Sequence, residues 1–142
     1  MVQIIPIVTD AHITEICNVI NKSFLTVAND LGYTKESVPT FPAFIGKETI
    51  INQINNGLVL YGLKLDNCLV GSIGIKKEKI KYLYKIERLA VLPTYRHKQY
   101  GKMLMDYALN EIHNNGGQIA EVEIVNENIK LKKWYLNQGY KE

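Results

Sequence analysis

Cysteine is scarce in this chain of 142 residues. Cys17 and Cys68 are the only two, so a disulfide framework is excluded and nothing fits the spacing of a zinc site. No apolar run reaches the roughly 18 residues that a membrane span requires. The first residues lack a basic stretch and a cleavage site, so we expect no secretory signal and take a reduced, cytoplasmic location as the default. Neither a Walker phosphate loop nor the Rossmann glycine spacing occurs.

The composition is that of a globular protein with a core of its own. Hydrophobic residues make up 46% and charged residues 22%, values that argue against long disorder and against a coiled coil. A chain of this length suffices for one ordinary domain and is short for two. The sequence therefore predicts a single domain over residues 1–142 that needs neither disulfides nor a metal to fold.

Positive charge is concentrated in one segment. Residues 76–102 hold nine basic side chains against two acidic ones, whereas the net charge of the whole chain is only +3. A field of this kind suits a partner that bears phosphate. The alternative is a solvated, lysine-rich hairpin, which fits Lys76 to Lys81 better. We expect no nucleic-acid partner, because an aromatic platform and a recognition helix are both missing.

The hydrophobic pattern predicts a mixed α/β (α+β) fold. Periodicity and breakers predict the order β-α-α-β-β-β-α-β-α, with a sheet that is antiparallel in the middle and a right-handed β-α-β crossover near the end. Gly71 and Gly74 suggest a bulge or close packing in the third strand. The predicted strands cover Val2–Val8, Leu58–Leu65, Cys68–Lys76, Lys79–Val91 and Ile119–Val125, and the predicted helices cover 10–31, 46–55, 98–115 and 128–137.

The junction after the fourth predicted strand carries the strongest functional signal. The strand stops at Pro93, a short polar loop follows, and a helix opens on basic residues and Gly101. A helix start leaves about four backbone N–H groups without partners and carries partial positive charge, which makes it an anion site. From the residues alone this is either a phosphate cradle or an ordinary loop with basic residues at a strand–helix junction.

Three segments together resemble the GNAT superfamily of N-acetyltransferases. Leu89 to Pro93 followed by Arg96 to Gly101 resembles the central motif of that family, and Asn128 through Tyr140 resembles a second motif near its C-terminal side. Residues 69–74 resemble its third-strand signature. Gln99 stands where the family has the first glycine of the cradle, and Leu131 and Trp134 also depart from the pattern.

The resemblance implies a GNAT-like sheet that splays between its fourth and fifth strands and binds acetyl-CoA as cosubstrate, without a metal. The pantetheine arm would pair with the backbone of the fourth strand, and main-chain N–H groups after it would hold the diphosphate. The implied cofactor-binding residues are Leu89, Ala90, Val91, Arg96, His97, Lys98, Gln99, Tyr100, Gly101, Lys102, Asn128 and Tyr135.

The resemblance also implies two catalytic side chains. Tyr135 falls at the family's general-acid position and would protonate the leaving thiolate; the alternative is a packed aromatic residue. Glu87 is our candidate base, since it shares a strand face with Leu89 and Val91 if no bulge intervenes. The alternative for Glu87 is an ion pair on a solvated face, and for Asn128 a plain helix cap.

These features predict an N-acetyltransferase that moves an acetyl group from acetyl-CoA directly to a primary amine of a small molecule or peptide. The acceptor would enter beside residues 24–44, and its identity stays open. The alternative is a non-catalytic acyl-CoA-binding or sensing module. Family members usually add two strands after the second motif, so the sheet is shortened, left open, or completed by another subunit; a homodimer is an expectation by analogy.

Overall fold

A five-stranded mixed sheet with helices on both faces organises the computed structural model, which describes residues 1–124 and 128–142. The strands lie side by side in chain order. The elements are β1 (Val2–Pro6), α1 (Asp10–Leu31), α2 (Lys47–Asn55), β2 (Val59–Leu65), β3 (Cys68–Lys77), β4 (Leu83–Val91), α3 (Tyr100–Asn114), β5 (Ile119–Val122) and α4 (Ile129–Asn137). A short 3-10 turn, Pro93–Tyr95, joins β4 to the loop before α3.

The strand directions confirm the predicted fold class. Strands β1 to β4 pair antiparallel, and β5 pairs parallel to β4 after the α3 crossover. The pairing of β4 with β5 runs from Leu83–Ile119 to Ile86–Val122, while β4 itself continues to Val91. The sheet therefore opens between its fourth and fifth strands, as predicted. Val125, the predicted end of the last strand, lies outside the described residues.

Two apolar cores lie on the two faces of the sheet. One is built by α1 and α2 against β2 and β3, and its fully buried members include Ile16, Ile20 and Ile50. The other is built by α3 and α4 against the opposite face, around Leu104 and Met105. Cys17 belongs to the first core, and burial raises the pKa of its thiol, so this cysteine is a packing residue as its helical spacing predicted.

The ends of α1 follow the predicted signals. The Thr9 hydroxyl accepts a hydrogen bond from the N–H of His12 at 3.2 Å, which caps the first turn. Gly32 ends the helix with a φ of 72°, a left-handed conformation in which glycine has no steric penalty. These two residues fix the length of α1 and so place Phe24, near its C-terminal end, beside β4.

The start of the fourth strand was predicted too early. Residues 78–82 form the turn of the β3–β4 hairpin, where the N–H of Glu78 donates to the carbonyl of Leu83 at 2.9 Å. Tyr82 takes a φ of 66°, which a strand does not allow, and its carbonyl accepts the N–H groups of Gln118 and Ile119. The alternation of lysine with apolar residues imitates a strand, but the chain reverses here.

Gly117 brings the chain from α3 back to the sheet through a space that holds no side chain. A Cβ at this position would lie 2.7 Å from Cδ1 of Tyr84 and 2.9 Å from the carbonyl oxygen of Ile112. The N–H of Gly117 also donates to that carbonyl at 2.8 Å, so the backbone cannot move away without losing a hydrogen bond. The start of β5 thus depends on a glycine.

We predict that Gly117→Ala lowers the free energy of unfolding by about 1–3 kcal/mol, because the added methyl overpacks a close backbone contact. Gly46→Ala is the matched control, since a Cβ there would meet nothing within 4 Å, and its effect should stay below about 1 kcal/mol. Denaturant unfolding followed by circular dichroism measures both. Equal effects of the two substitutions would contradict the assignment of Gly117 to a packing constraint.

Candidate functional site

The separation of β4 from β5 creates the candidate site. The N–H of Leu92 donates to the carbonyl of Val70 on β3 at 2.9 Å. Main-chain groups alternate in direction along a strand, so those of Val91 and Leu89 are directed to the other edge of β4, which β5 has left after Ile86. This edge offers backbone donors and acceptors to an extended, peptide-like ligand.

A cleft of about 420 Å³ lies beside this edge. Its size falls within the range of small-molecule sites in proteins. One wall comes from α1, α2 and the loop between them, the floor from β4, and the other wall from the end of β5 and from α4. The lining side chains are Phe24, Phe41, Pro42, Gln53, Lys85, Ile86, Glu87, Arg88, Leu89, Glu121, Glu123, Ile124, Asn128, Leu131 and Tyr135.

A β-bulge in β4 decides which side chains face the cleft. Ser72 pairs with Ala90 and Gly74 with Glu87, so β4 has one residue more than β3 in this interval. Arg88 takes a φ of 58° at the bulge, and its carbonyl accepts the Ser72 hydroxyl at 2.5 Å. A Cβ on Gly74 would lie 3.3 Å from the carbonyl oxygen of Glu87. The extra residue therefore lies in β4 and not in the third strand. The Ser72 hydroxyl holds it, and Gly74 shows the close packing that was the second predicted alternative.

The bulge removes the condition under which Glu87 would share a face with Leu89 and Val91. Leu89 and Val91 pack against the α3–α4 core, whereas Ala90 packs against the α1–α2 core. Glu87 lies before the extra residue and lines both the cleft and an adjoining recess beside α2. Its carboxylate thus reaches the cleft from the α2 side, and its role as base stays a prediction.

Arg88 is a charged residue of the cleft that the sequence motifs did not indicate. Its side chain is half-buried, and its Nε donates to Oε1 of Gln53 on α2 at 3.2 Å. Burial lowers the pKa of the guanidinium, with Glu87 opposing the shift. The adjacent polar residues Glu87 and Arg88 were the available signal, because they break the alternation of polar and apolar residues that begins at Lys85.

Lys85 is paired with several carboxylates at the end of the cleft where β4 and β5 are still joined. Its Nζ lies 2.9 Å from Glu123, 3.4 Å from Glu78 and 4.0 Å from Glu121. The hydrogen bond and charge of Glu123 raise the pKa of Lys85, so the ammonium stays charged. Acidic groups thus outnumber basic ones here, in contrast to the basic turn at the far end of β4.

Tyr135 lies on the α4 wall of the cleft and is 8% exposed. Its ring packs edge-on against Trp134 and Tyr140, with centroids 5.2 and 5.5 Å away. Burial raises the pKa of its phenol, because the charged phenolate is disfavoured away from water. The hydroxyl is therefore held in the protonated form that a general acid needs.

Asn128 begins α4 as an N-cap and also lines the cleft. Its Oδ1 accepts the N–H of Leu131 at 3.2 Å, which is the plain capping role that was the alternative for this residue. The side-chain amide NH2 is not used by that hydrogen bond. The structure thus places Tyr135, Glu87 and Asn128 around one cleft.

The turn between β4 and α3 presents a row of main-chain donors. The N–H of Arg96 donates to the carbonyl of Pro93, and the N–H of Met103 makes the first hydrogen bond of α3, to Gln99. Between them, the amides of residues 97–102 donate to no described residue. His97 and Gln99 both have left-handed φ values, 64° and 69°, and alternating left-handed residues of this kind form anion-binding concavities. Gln99 adopts the conformation that the family's glycine takes easily.

Arg96 ties this turn to α1. Its guanidinium donates to the carbonyl of Val91 at 3.1 Å, to the hydroxyl of Thr26 at 3.1 Å and to the carbonyl of Ser23 at 2.5 Å. Burial lowers its pKa, and Asp30 opposes the shift. The side chain of Arg96 is thus engaged by protein acceptors, and its predicted contact with a phosphate would need another rotamer.

The other residues predicted to form the phosphate cradle fall into two groups, one exposed to solvent and one packed against the protein. His97, Lys98 and Lys102 are exposed, and Lys102 pairs with Asp106 at 2.8 Å along the first turn of α3. Tyr100 packs against the α3–α4 core, and a Cβ on Gly101 would lie 3.4 Å from the indole of Trp134. The cradle is therefore mainly a backbone site with flexible cations at its rim.

Within residues 1–124 and 128–142, no helix combines the length and the hydropathy that a membrane span requires. The same residues contain no group of three or more histidine, cysteine, aspartate or glutamate side chains that could hold a metal ion.

Sequence comparison finds one matching protein family. The model of the family described as an acetyltransferase (GNAT) domain matches residues 29–142. An uncharacterized N-acetyltransferase of Schizosaccharomyces pombe is 28% identical over 123 residues, which are 84% of this chain and 81% of that protein.

Solved structures share the fold. The PaiA N-acetyltransferase of Thermoplasma acidophilum, in complex with coenzyme A, superposes with a TM-score of 0.83 at 22% identity, covering 99% of this chain and 90% of its own. The ribosomal-protein-S18-alanine N-acetyltransferase of Escherichia coli gives 0.77 at 13% identity and coverages of 100% and 79%. At such identities the likeness establishes the fold alone.

We predict that Arg96→Ala lowers the free energy of unfolding by about 2 kcal/mol. Hydrogen bonds from a charged donor contribute roughly 1.5–3 kcal/mol each, but the acceptors that Arg96 leaves would partly rearrange and recover some of that loss. Lys98→Ala removes the same charge from the same turn but breaks no hydrogen bond that the structure shows, and should change stability by less than about 0.5 kcal/mol. Chemical denaturation compares the two variants. Equal destabilisation would contradict the assignment of Arg96 to fixing the turn against α1.

Proposed function

Because the chain belongs to the GNAT acetyltransferase family, we propose that it is an acetyl-CoA-dependent N-acetyltransferase that transfers the acetyl group directly to a primary amine. One observation carries the proposal: a row of unpaired amides at residues 97–102 adjoins the strand edge from which β5 has parted. A diphosphate joined to a peptide-like arm fits both features. The amides can donate hydrogen bonds to the diphosphate, and the strand edge can pair with the amide groups of the arm.

The donor-binding residues act mostly through their main chain. The amides of residues 97–102 hold the diphosphate, and Lys98 and Lys102 add positive charge at the rim. Leu89 and Val91 pair with the amide groups of the pantetheine arm, as an added strand would. Arg96 supports this arrangement from behind, by fixing the turn to α1 through Ser23 and Thr26. The coenzyme A bound by the Thermoplasma relative supports this assignment.

Two side chains supply the proton transfers. An alkylammonium has a pKa near ~10.4, so the amine must lose a proton before it can attack at neutral pH. Glu87 accepts that proton, directly or through a water, as the nitrogen forms its bond to the acetyl carbon. A main-chain N–H of the exposed β4 edge stabilises the carbonyl oxygen. Tyr135 then donates its phenolic proton to the sulfur as the C–S bond breaks.

The environment of Tyr135 supports its role as the acid. Burial against Trp134 and Tyr140 disfavours the phenolate and raises the pKa of the phenol, so Tyr135 keeps its proton until the thiolate forms. The same shift makes the phenol a weaker acid than a free thiol, whose pKa is near ~8.5, so the transfer depends on the hydroxyl lying beside the sulfur at the moment when the C–S bond breaks. The same rings hold the side chain in one orientation toward the cleft.

We predict that saturating acetyl-CoA raises the melting temperature. At a ligand concentration about 100 times Kd the stabilisation is about 2.7 kcal/mol, which corresponds to about 5–10 °C for a domain of this size. Pantetheine, which lacks the diphosphate, is the control and should give a far smaller shift. The absence of any shift at millimolar acetyl-CoA, with folded protein, would overturn the proposed function.

We predict that Tyr135→Phe lowers kcat by about 10²-fold, the lower end of the usual contribution of a general acid, and leaves the Kd of coenzyme A within about threefold. Release of free thiol measures turnover. Tyr140→Phe is the matched control, because its hydroxyl contacts only Sδ of Met105 among the described residues and its ring would stay in place. Undiminished turnover of Tyr135→Phe would remove Tyr135 from the role of acid.

A further inference from the structure

Arg88 is a half-buried cation that faces the cleft without a carboxylate partner. Within the described residues no aspartate or glutamate oxygen lies within 4 Å of its guanidinium, although Lys85, three residues away on β4, has three such neighbours. Its Nε is engaged by Gln53, and its two terminal nitrogens make no hydrogen bond to any described residue. The guanidinium is thus oriented by the protein but not neutralised by it.

The terminal nitrogens of Arg88 are accessible to a ligand. In the described part of the chain no fully buried side-chain nitrogen or oxygen lacks a hydrogen-bond partner. These nitrogens are therefore accessible, and the cleft is the space that Arg88 lines. A guanidinium held through Nε presents its remaining N–H groups in a fixed fork, which matches the two oxygens of a carboxylate or a phosphate.

The groups around Arg88 define the rest of the ligand. Glu87 precedes Arg88 in the chain and lines the same cleft, so a carboxylate and an unpaired guanidinium are offered side by side. On the wall formed by α1 and the loop that follows it, Phe24 and Phe41 pack edge-on with centroids 5.9 Å apart and continue into Pro42. The cleft therefore offers one anionic, one cationic and one apolar surface.

We propose that the acceptor amine carries its own carboxylate, that Arg88 binds this carboxylate, and that the acceptor is accordingly a free amino acid with an apolar side chain. This inference rests on the proposed N-acetyltransferase function and names the substrate class for it. The ammonium group lies toward Glu87, which accepts its proton, and the apolar side chain lies against Phe24 and Phe41.

Charge favours a carboxylate over a phosphate at this place. Among the described residues, the charged side chains that line the cleft are Lys85, Arg88, Glu87, Glu121 and Glu123, so carboxylates outnumber cations there. A doubly charged phosphate would meet that excess of negative charge, whereas a singly charged carboxylate joined to an ammonium group is neutral overall. Complementary charges on a neutral zwitterion are matched locally by Glu87 and Arg88.

The test compares amino acids with analogues that lack only the carboxylate. Leucine and phenylalanine are offered with acetyl-CoA, beside their amides and their decarboxylated amines, and release of free thiol gives kcat/KM for each. Phosphoethanolamine and ethanolamine form a second pair that reports on a phosphate. For the wild-type protein we expect kcat/KM for the acid to exceed that for its amide at least tenfold, although the amide has the less basic and more readily deprotonated amine.

Substitutions at Arg88 test the assignment to this residue. In Arg88→Gln the ratio of kcat/KM between acid and amide should fall to about one, and Arg88→Lys, which keeps the charge but loses the fork, should restore part of it. Gln53→Leu disturbs the guanidinium without touching the bulge, and should lower the ratio less. Lys77→Gln removes one exposed positive charge outside the cleft and should leave the ratio unchanged.

The outcomes separate this inference from the proposed function. If amides and plain amines are acetylated as well as the acids, if phosphoethanolamine is the preferred acceptor, or if Arg88→Gln keeps the wild-type ratio in protein that still gains stability from acetyl-CoA, the inference is overturned and the acetyltransferase assignment stands. If the protein neither acetylates nor binds any amine that carries a carboxylate, the inference about Arg88 is overturned as well. Loss of the acetyl-CoA shift in the wild-type protein would instead remove both.

Discussion

The unpaired edge of β4 is the constraint on which the site depends. Backbone N–H and C=O groups require partners, and a central strand normally finds them on both sides. Here β5 leaves its neighbour after Ile86, so no strand among the described residues pairs with this edge over the last five residues of β4, and the Val91 carbonyl accepts from Arg96 instead. An extended ligand would supply the missing strand-like hydrogen bonds. The same departure separates α4 from α1 and α2 and so creates the cleft between them.

The bulge at Arg88 divides this strand between two tasks. Beyond it, Leu89 and Val91 pack toward α3 and α4 and present their main chain to the open edge. Glu87, just before the bulge, lines the cleft from the α2 side, and Arg88 lines it at the bulge itself. In a regular strand Glu87 would share a face with Leu89 and Val91. One extra residue, accommodated by Ser72 and Gly74 on β3, therefore directs Glu87 away from the face on which Leu89 and Val91 pack.

Sequence patterns predicted what depends on local periodicity and missed what depends on long-range contacts. The cap at Thr9, the end of α1 at Gly32 and the helix after the basic turn each follow from signals within a few residues. Arg96 has the same sequence environment whether it contacts a phosphate or the carbonyl of Ser23, more than 70 residues away. Similarly, the position of Arg88 depends on the register between β4 and β3, in which β4 has one extra residue. The alternation of lysine with apolar residues predicted a strand where residues 78–82 form a turn.

Charge is distributed so that the two ends of β4 suit different ligands. Beyond Val91, unpaired amides and exposed lysines leave a positive field with no acidic counterpart until Asp106. At the start of the strand Lys85 is already compensated by Glu78, Glu121 and Glu123. Of the two cations that line the cleft in the described part of the chain, Arg88 is thus the one without a carboxylate within 4 Å. Because a desolvated, unpaired guanidinium is costly to maintain, its persistence within the cleft is best explained by a ligand that supplies the missing anion. The proposal that this anion belongs to the acceptor follows from the proposed place of the donor's phosphates, at the opposite end of the strand.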